Sequence, residues 1–372
     1  MNLSKFVSFF TIISLSTSKF PFCLPDFEFG RKIEQYSTTT DVVNSCVQES
    51  KIGKGKYATI YETKWGNGVA AVKVITAVPG IKDIDNRSNQ ARELIILHKL
   101  NNKDVTPKFY GCLERPDYLY LVQENLYADL TDVGDGVALK FKALPPTKRL
   151  EAYKIIASKV MKLHEVGFTH QDLKPANIMV ANEEFSDYRL IDFGLSKFIG
   201  RGYANGGSPY YNSEDKIKGI PIANISHDVY ALAMTIAVLE TSLNTIFQKV
   251  DRSCFMMELT EVCKDKLRDN LKNGFENSLI PEIHEVVLKG INLSKPNYNS
   301  MEDLKNAIDG VIKQGVNVVV EKIEIEIEND NHKKDGSELI DSNHKLSRSQ
   351  QKQGQFPDNE PSNEELMNKL EI

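Results

Sequence analysis

The spacing of apolar positions changes character along the chain. From Lys51 to Val74, β-type residues surround Gly53 and Gly55, and Ile60, Tyr61, Ala71, Val72 and Val74 continue a strand-like pattern. In QARELIILHKL, residues 90–100, Glu93, Ile96, Leu97 and Leu100 follow the i, i+3, i+4, i+7 spacing of one helix face. A helical glutamate ordinarily faces water, but Glu93 lies on the apolar stripe, which calls for a buried cationic partner. A second helix is expected from about Thr147 to Val166, with Leu150, Tyr153, Ala157, Val160 and Leu163 on one face and Gly167 at its end. Val229 to Leu239 is apolar except for Thr235. That stretch predicts a core helix buried all round, with Ser226 or Asp228 as its start signal, and it is far shorter than the roughly 20 residues of a membrane span.

Beyond Gly315 the pattern changes again. Ile323, Ile325 and Ile327 alternate with Glu324, Glu326 and Glu328, a period of two that either adds one strand to a sheet edge or stays a solvated acidic stretch. From Asn329 the composition predicts disorder. The last residues place Ser362 and Glu365 at capping-box spacing and Leu366 and Leu370 one turn apart, so a short helix could form on docking to a partner, with fraying in water as the competing expectation.

Chemistry enters with three strings: KIGKGKYATIYE followed by AAVKV, which ends in Lys73 and Val74; HQDLKPAN from His170 to Asn177; and DFG from Asp192 to Gly194. Their order suits phosphoryl transfer from ATP, a reaction that asks a protein mainly to position groups and neutralise phosphate oxygens. Asp172 is placed to orient an attacking hydroxyl and accept its proton, and Asn177 can reach a metal from the same loop. Asp192 adds a second hard oxygen donor, a set that suits Mg²⁺. Glycines at 53 and 55 allow backbone N–H groups to approach phosphate. Lys73, in a run of small and β-branched residues, needs an anion; a pair with Glu93 satisfies both charges and aims the lysine at the α and β phosphates.

With these motifs in order, residues 45–313 resemble the protein kinase family. The resemblance implies an α+β, bilobal protein kinase-like fold with a small β-rich N-lobe and a larger helical C-lobe, using ATP and Mg²⁺ on protein substrates. It implies nucleotide contacts from Ile52, Gly53, Lys54, Gly55, Ile60, Ala71, Lys73, Glu124, Leu126 and Met179, with Ala58 in place of a third glycine. Gln123 matches the gatekeeper, Glu124 to Leu126 the hinge, and Ile60, Ala71 and Met179 the adenine sandwich. GGSPYYNSE, Gly206 to Glu214, looks like the substrate-binding end of the activation segment, and DVYALA like the central helix of the large lobe. Lys174 and the small Ser208 resemble the serine/threonine branch, where the lysine balances charge on the transferring phosphoryl group. The family's catalytic set therefore maps to Lys73, Glu93, Asp172, Lys174 and Asn177, and its metal ligands to Asn177 and Asp192. A pseudokinase or a small-molecule kinase is the alternative; all the catalytic positions hold competent residues, and the GGSPYYNSE segment argues against the latter.

Two departures stand out. Gln171 occupies the place of the arginine usually found between the His and Asp of the catalytic loop, which removes the cation that would bind a phosphorylated activation loop. Glu214 normally pairs with an arginine near the end of the domain, where this chain has Tyr298, which puts the rigidity of the substrate lobe in question.

Composition bounds the rest. At 372 residues and 41% hydrophobic content the chain can bury one small and one large core, and a net charge of −5 gives no basic footprint for nucleic acid. Cys23, Cys46, Cys112, Cys254 and Cys263 are odd in number and irregularly spaced, implying neither a disulfide framework nor a metal site. Residues 1–18 carry a lysine, an apolar run from Phe6 to Leu15 and small residues at Ser16 and Ser18, and read as a removable secretory signal for a secreted or secretory-pathway protein. The competing reading is an N-terminal arm of a cytosolic kinase. Residues 19–44 form an arm in either case, and 314–372 an acidic, polar tail.

Overall fold

The computed structural model describes residues 51–315, apart from 55–57, 66–67, 77–83, 116–117, 132–135, 202, 205, 220–221, 257, 277 and 295–296. The signal-like N-terminus, the alternating stretch at 323–328, the polar tail, the C-terminal capping box and Gly55 lie outside the described residues.

Five antiparallel strands make the first layer: β1 (Lys51–Lys54), β2 (Ala58–Trp65), β3 (Gly68–Thr76), β4 (Phe109–Arg115) and β5 (Tyr118–Glu124), in the spatial order β1-β2-β3-β5-β4. The central strand β3 is paired on both sides, so its two faces are sorted by alternation. Ala70 and Val72 are buried with Tyr120 and Val122 on one face. Ala71, Lys73 and Ile75 point to the other, where Ile75 and Leu121 pack with Leu94 and Leu97 of helix α1 (Ile84–Leu100). The stripe expected on α1 is realised, since Glu93, Ile96, Leu97 and Leu100 are all buried.

The second part is mostly helical: α2 (Val137–Ala143), α3 (Pro146–Glu165), α4 (Glu214–Ile217), α5 (Ile225–Glu240), α6 (Leu243–Phe247), α7 (Glu261–Glu276), α8 (Ile283–Gly290) and a helix over 301–315. Short strands β6 (Ala128–Asp129), β8 (Ile178–Val180) and β9 (Tyr188–Leu190) form one small sheet, and β7 (Phe168–Thr169) pairs with β10 (Lys197–Phe198). The fold is thus α+β and bilobal. α3 starts at Pro146, where a missing N–H costs nothing, and leaves the helix through Gly167 at φ 92. Among the described residues no helix is long and apolar enough to cross a membrane.

Three sequence expectations need correction. α5 begins at Ile225, capped by the Asn224 side chain accepting the Ser226 N–H (3.2 Å), so neither Ser226 nor Asp228 starts it; Asp228 is inside the helix and is completely buried. Glu214 does not lack a cation: Lys218 Nζ lies at 2.7 Å and Lys264 Nζ, from α7, at 3.1 Å, while Tyr298 packs against the core. The counter-charge comes from the next turn of chain and from α7, not from the end of the domain. Finally, Cys254 and Cys263 are joined in a disulfide, with Cα atoms 6.2 Å apart. A single 3₁₀ turn over Arg252–Phe255 returns the chain to the start of α7, a proximity that cysteine parity and spacing do not encode.

One buried ion pair anchors the helical part. Arg149 and Glu240, both almost fully buried, meet at 3.0 Å, and Glu240 also accepts from Tyr153 Oη (2.5 Å) and Ser278 Oγ (3.2 Å). Arg149 donates in addition to the carbonyls of Lys142 (2.5 Å) and Leu144 (3.0 Å). Every lone pair or donor of consequence has a partner, the condition under which a buried charge is tolerated.

Candidate active site

Lys73 is carried by β3, opposite Ile60 and Leu121 in the register, and its ammonium reaches Glu93 Oε1 at 2.7 Å and Asp192 Oδ1 at 3.3 Å. Burial pulls the Lys73 ammonium down, but Glu93 and Asp192 together outweigh it and hold the group above the ordinary lysine value, so it stays charged. Burial pushes the Glu93 carboxyl up, partly offset by Lys73. Lys73 is the chief reason the Asp192 carboxyl is held below the usual carboxylate range. Asp192 is also about half exposed (54%) and sits at φ 60, a left-handed conformation that turns the DFG stretch. A charged, partly solvated carboxylate beside a buried lysine is ready to receive a cation.

The catalytic loop is built from the other side. β7 delivers the chain to His170, and Asp228 of α5 accepts the His170 N–H (2.7 Å), the Gln171 N–H (2.9 Å) and His164 Nε2 (2.8 Å). Burial alone would raise the Asp228 carboxyl, but the His164 bond and these backbone donors keep it below the usual range. Gln171 is held at φ 70, its side chain donating to Thr169 Oγ1 (2.9 Å) and meeting His227 Nδ1 (3.3 Å). His170 Nε2 meets the Ile191 carbonyl at 3.0 Å, and the Ile191 N–H donates to the Asn177 carbonyl (3.1 Å), so the Asn177 and Asp192 loops are tied together.

Around Asp172 three groups converge. Asn177 Nδ2 donates to its carbonyl (2.6 Å) and to Oδ2 (3.0 Å), Lys174 Nζ lies 3.1 Å from Oδ2, and the Ser208 N–H donates to Oδ1 (2.8 Å). Lys174 Nζ also donates to Ser208 Oγ (2.7 Å). The Asp172 carboxylate, the Lys174 cation and Ser208 are thereby one hydrogen-bonded unit.

The residues fit Mg²⁺. Because Asn177 uses its amide N–H₂ on Asp172, the amide oxygen is left as a hard donor, and Asp192 supplies an ionised one. Among the described residues no cluster of three or more His, Cys, Asp or Glu forms a complete metal cage. A site with few protein oxygens suits Mg²⁺, which keeps phosphate and water oxygens as its other ligands.

The remaining positions expected to contact nucleotide line up less uniformly. Ile52 and Lys54 are exposed on β1, and Gly53 stands opposite Ile60 in the register. Ala71 is buried beside Lys73, and Met179 alternates with the buried Ile178 and Val180. Glu124, the first residue of the expected hinge, is anchored by Lys108: its N–H donates to the Lys108 carbonyl (2.8 Å) and its carboxylate accepts the Lys108 N–H (3.0 Å). The Leu126 N–H has no partner among the described residues. Sequence reasoning missed Lys216 and Lys264 altogether, because a lysine in a polar stretch carries no periodic signal.

Residues 46–308 match the family model described as protein kinase domain. The chain belongs to the protein kinase family. It is 28% identical over 230 residues to a probable myosin light chain kinase of Dictyostelium discoideum, covering 60% of this chain and 70% of that one. It is 23% identical over 232 residues to a probable casein kinase II subunit alpha homolog of Encephalitozoon cuniculi, covering 62% and 69%. A serine/threonine-protein kinase of Saccharomyces cerevisiae is 30% identical over 153 residues, which is 41% of this chain and only 18% of that protein. With Lys174 bonded to Ser208, these likenesses make this kinase a protein serine/threonine kinase.

Proposed function

We propose that this kinase transfers the γ-phosphoryl group of ATP to serine or threonine hydroxyls of proteins, with Asp172 accepting the hydroxyl proton and Lys174 balancing charge on the group in transit. Lys73, held by Glu93, grips the nucleotide phosphates, and Asn177 and Asp192 would hold Mg²⁺, which would supply neutralisation of the phosphate charge. The hinge contact to adenine comes from backbone groups of the stretch from Glu124 to Leu126. The observation that carries the reading is the bonding of Ser208 to both Asp172 and Lys174, which joins the proton acceptor to a segment suited to a polypeptide substrate. Incubation with labelled ATP and a mixed protein and metabolite pool is the test. Label in phosphoserine or phosphothreonine is expected, and Asp172→Ala should cost at least about 10²-fold in kcat. Label only in small molecules, or undiminished turnover by the variant, would overturn it.

The N-terminal pattern supports a further reading, entry into the secretory route with cleavage near Ser18, and a Cys254–Cys263 disulfide suits an oxidising compartment. The C-terminal tail, by its capping-box spacing, is a candidate docking segment for a partner. N-terminal sequencing of protein from its native source should return a start close to Lys19; an intact Met1 or Asn2 on soluble cytosolic material excludes secretion.

A further inference from the structure

Lys216 lies two residues past Glu214, in the short helix α4, yet its side chain turns inward. Its Nζ donates to the carbonyl of Gln171 at 2.7 Å. That carbonyl belongs to the peptide unit leading into Asp172, so the ammonium holds the backbone immediately ahead of the proton acceptor. The same ammonium stands where the substrate-binding segment crosses the catalytic loop. At Gly207, φ 92, a Cβ would lie 2.8 Å from Asn212 Oδ1, 2.9 Å from the Gln171 carbonyl oxygen and 3.0 Å from Lys216 Nζ, so only glycine permits the crossing. Ser208, the next residue, is the one bonded to Asp172 and Lys174.

No carboxylate stands within ion-pair distance of Lys216 among the described residues. Burial is the largest influence on it and brings the ammonium down to about 8, with Lys197 of β10 adding to the fall and Asp228 of α5 and Asp172 of the catalytic loop opposing it. His227, at the start of α5, is itself lowered by burial and then by Lys216. An ammonium buried with one neutral acceptor costs stability, and a residue kept at such a cost is a candidate for function. Gln171, meanwhile, leaves the catalytic loop without a guanidinium at the position next to Asp172.

We propose that Lys216 is the positioning residue that fastens the substrate-binding segment to the catalytic loop, so that the protein-substrate site stands assembled with no phosphate on the segment. The cation that would otherwise be recruited by a phosphate is supplied from inside the segment and acts on the loop backbone. The inference rests on the reading of Asp172 as proton acceptor.

The test compares wild type with Lys216→Met, which matches the side chain's length without its charge, and with Lys216→Gln, which keeps a donor. For Lys216→Met, kcat/KM for a peptide substrate should fall at least about tenfold, the scale of losses from misplaced groups, while KM for ATP changes less than about twofold. Its Tm should equal or exceed that of wild type, since a buried ammonium is gone, and amide exchange over 206–211 should rise. Lys216→Gln should recover part of the peptide activity, and phosphatase-treated wild type should keep its full kcat/KM. Undiminished peptide turnover in Lys216→Met, a lowered Tm with a parallel loss of ATP affinity, or a more than tenfold loss on phosphatase treatment would each overturn the inference. Wild-type protein that transfers no phosphate would overturn the functional reading itself, an outcome the variants cannot mimic.

Discussion

Two of the buried ion pairs among the described residues, Arg149–Glu240 and Lys73–Glu93, are built to opposite ends. Arg149–Glu240 is saturated: the carboxylate accepts from Arg149, Tyr153 and Ser278, the guanidinium also holds two carbonyls, and both side chains are under 5% exposed. Lys73–Glu93 is left open on one side, because the lysine's second contact is the half-exposed Asp192. A saturated pair has nothing left to offer a ligand and serves to hold α3 against α5. An open pair keeps a charge available at the edge of a cleft. The lesson is that burial of a charge does not by itself mark a functional group; the unfilled valence of its partner does.

That contrast can be broken by mutation. Glu240→Ala strands the Arg149 guanidinium, which cannot shed its proton, and should cost about 3–5 kcal/mol of stability in denaturant unfolding, while the activity of the molecules that remain folded is kept. Lys73→Met should behave in reverse. Glu93 is already pushed up by burial and can take a proton, and Asp192 is solvated, so the stability loss should be less than half that of Glu240→Ala. Its loss of transfer should be on the order of 10²-fold or more, because the phosphates lose their cation. Equal stability losses in the two variants would erase the distinction.

A smaller effect sharpens it. Glu214 pairs with Lys264 and Lys218 at the surface, where side chains exchange with water and salt screens the charges. Lys264→Ala should therefore change stability by less than about 1 kcal/mol, with the difference shrinking further in high salt. A larger, salt-insensitive loss would show that this pair belongs with Arg149–Glu240.

The nucleotide side of the site was legible from residue order alone. Glu93 could be placed on an apolar helix face by its spacing from Ile96, Leu97 and Leu100, and Lys73 by the strand alternation around it, so their meeting followed from two local periodicities and one unpaired charge. Asp172, Asn177 and Asp192 were legible because their chemistry needs short, fixed spacings. On the substrate side the segment from Gly206 to Glu214 was legible, but the contacts that fasten it were not. Lys216 joins α4 to the catalytic loop, Lys264 joins α7 to α4, and the Cys254–Cys263 bond joins a 3₁₀ turn to α7.

Asp228 shows the boundary most clearly. As a residue near the start of an apolar run it read as a helix signal, whereas its carboxylate is the buried acceptor for two loop N–H groups and a histidine. Local pattern thus determined the elements and the residue types that could do the chemistry, because periodicity and motif spacing are properties of neighbouring residues. Which buried cation meets which carbonyl or carboxylate was decided only by the tertiary structure, because hydrogen bonds across 45 or 57 residues of chain depend on packing that no short window contains.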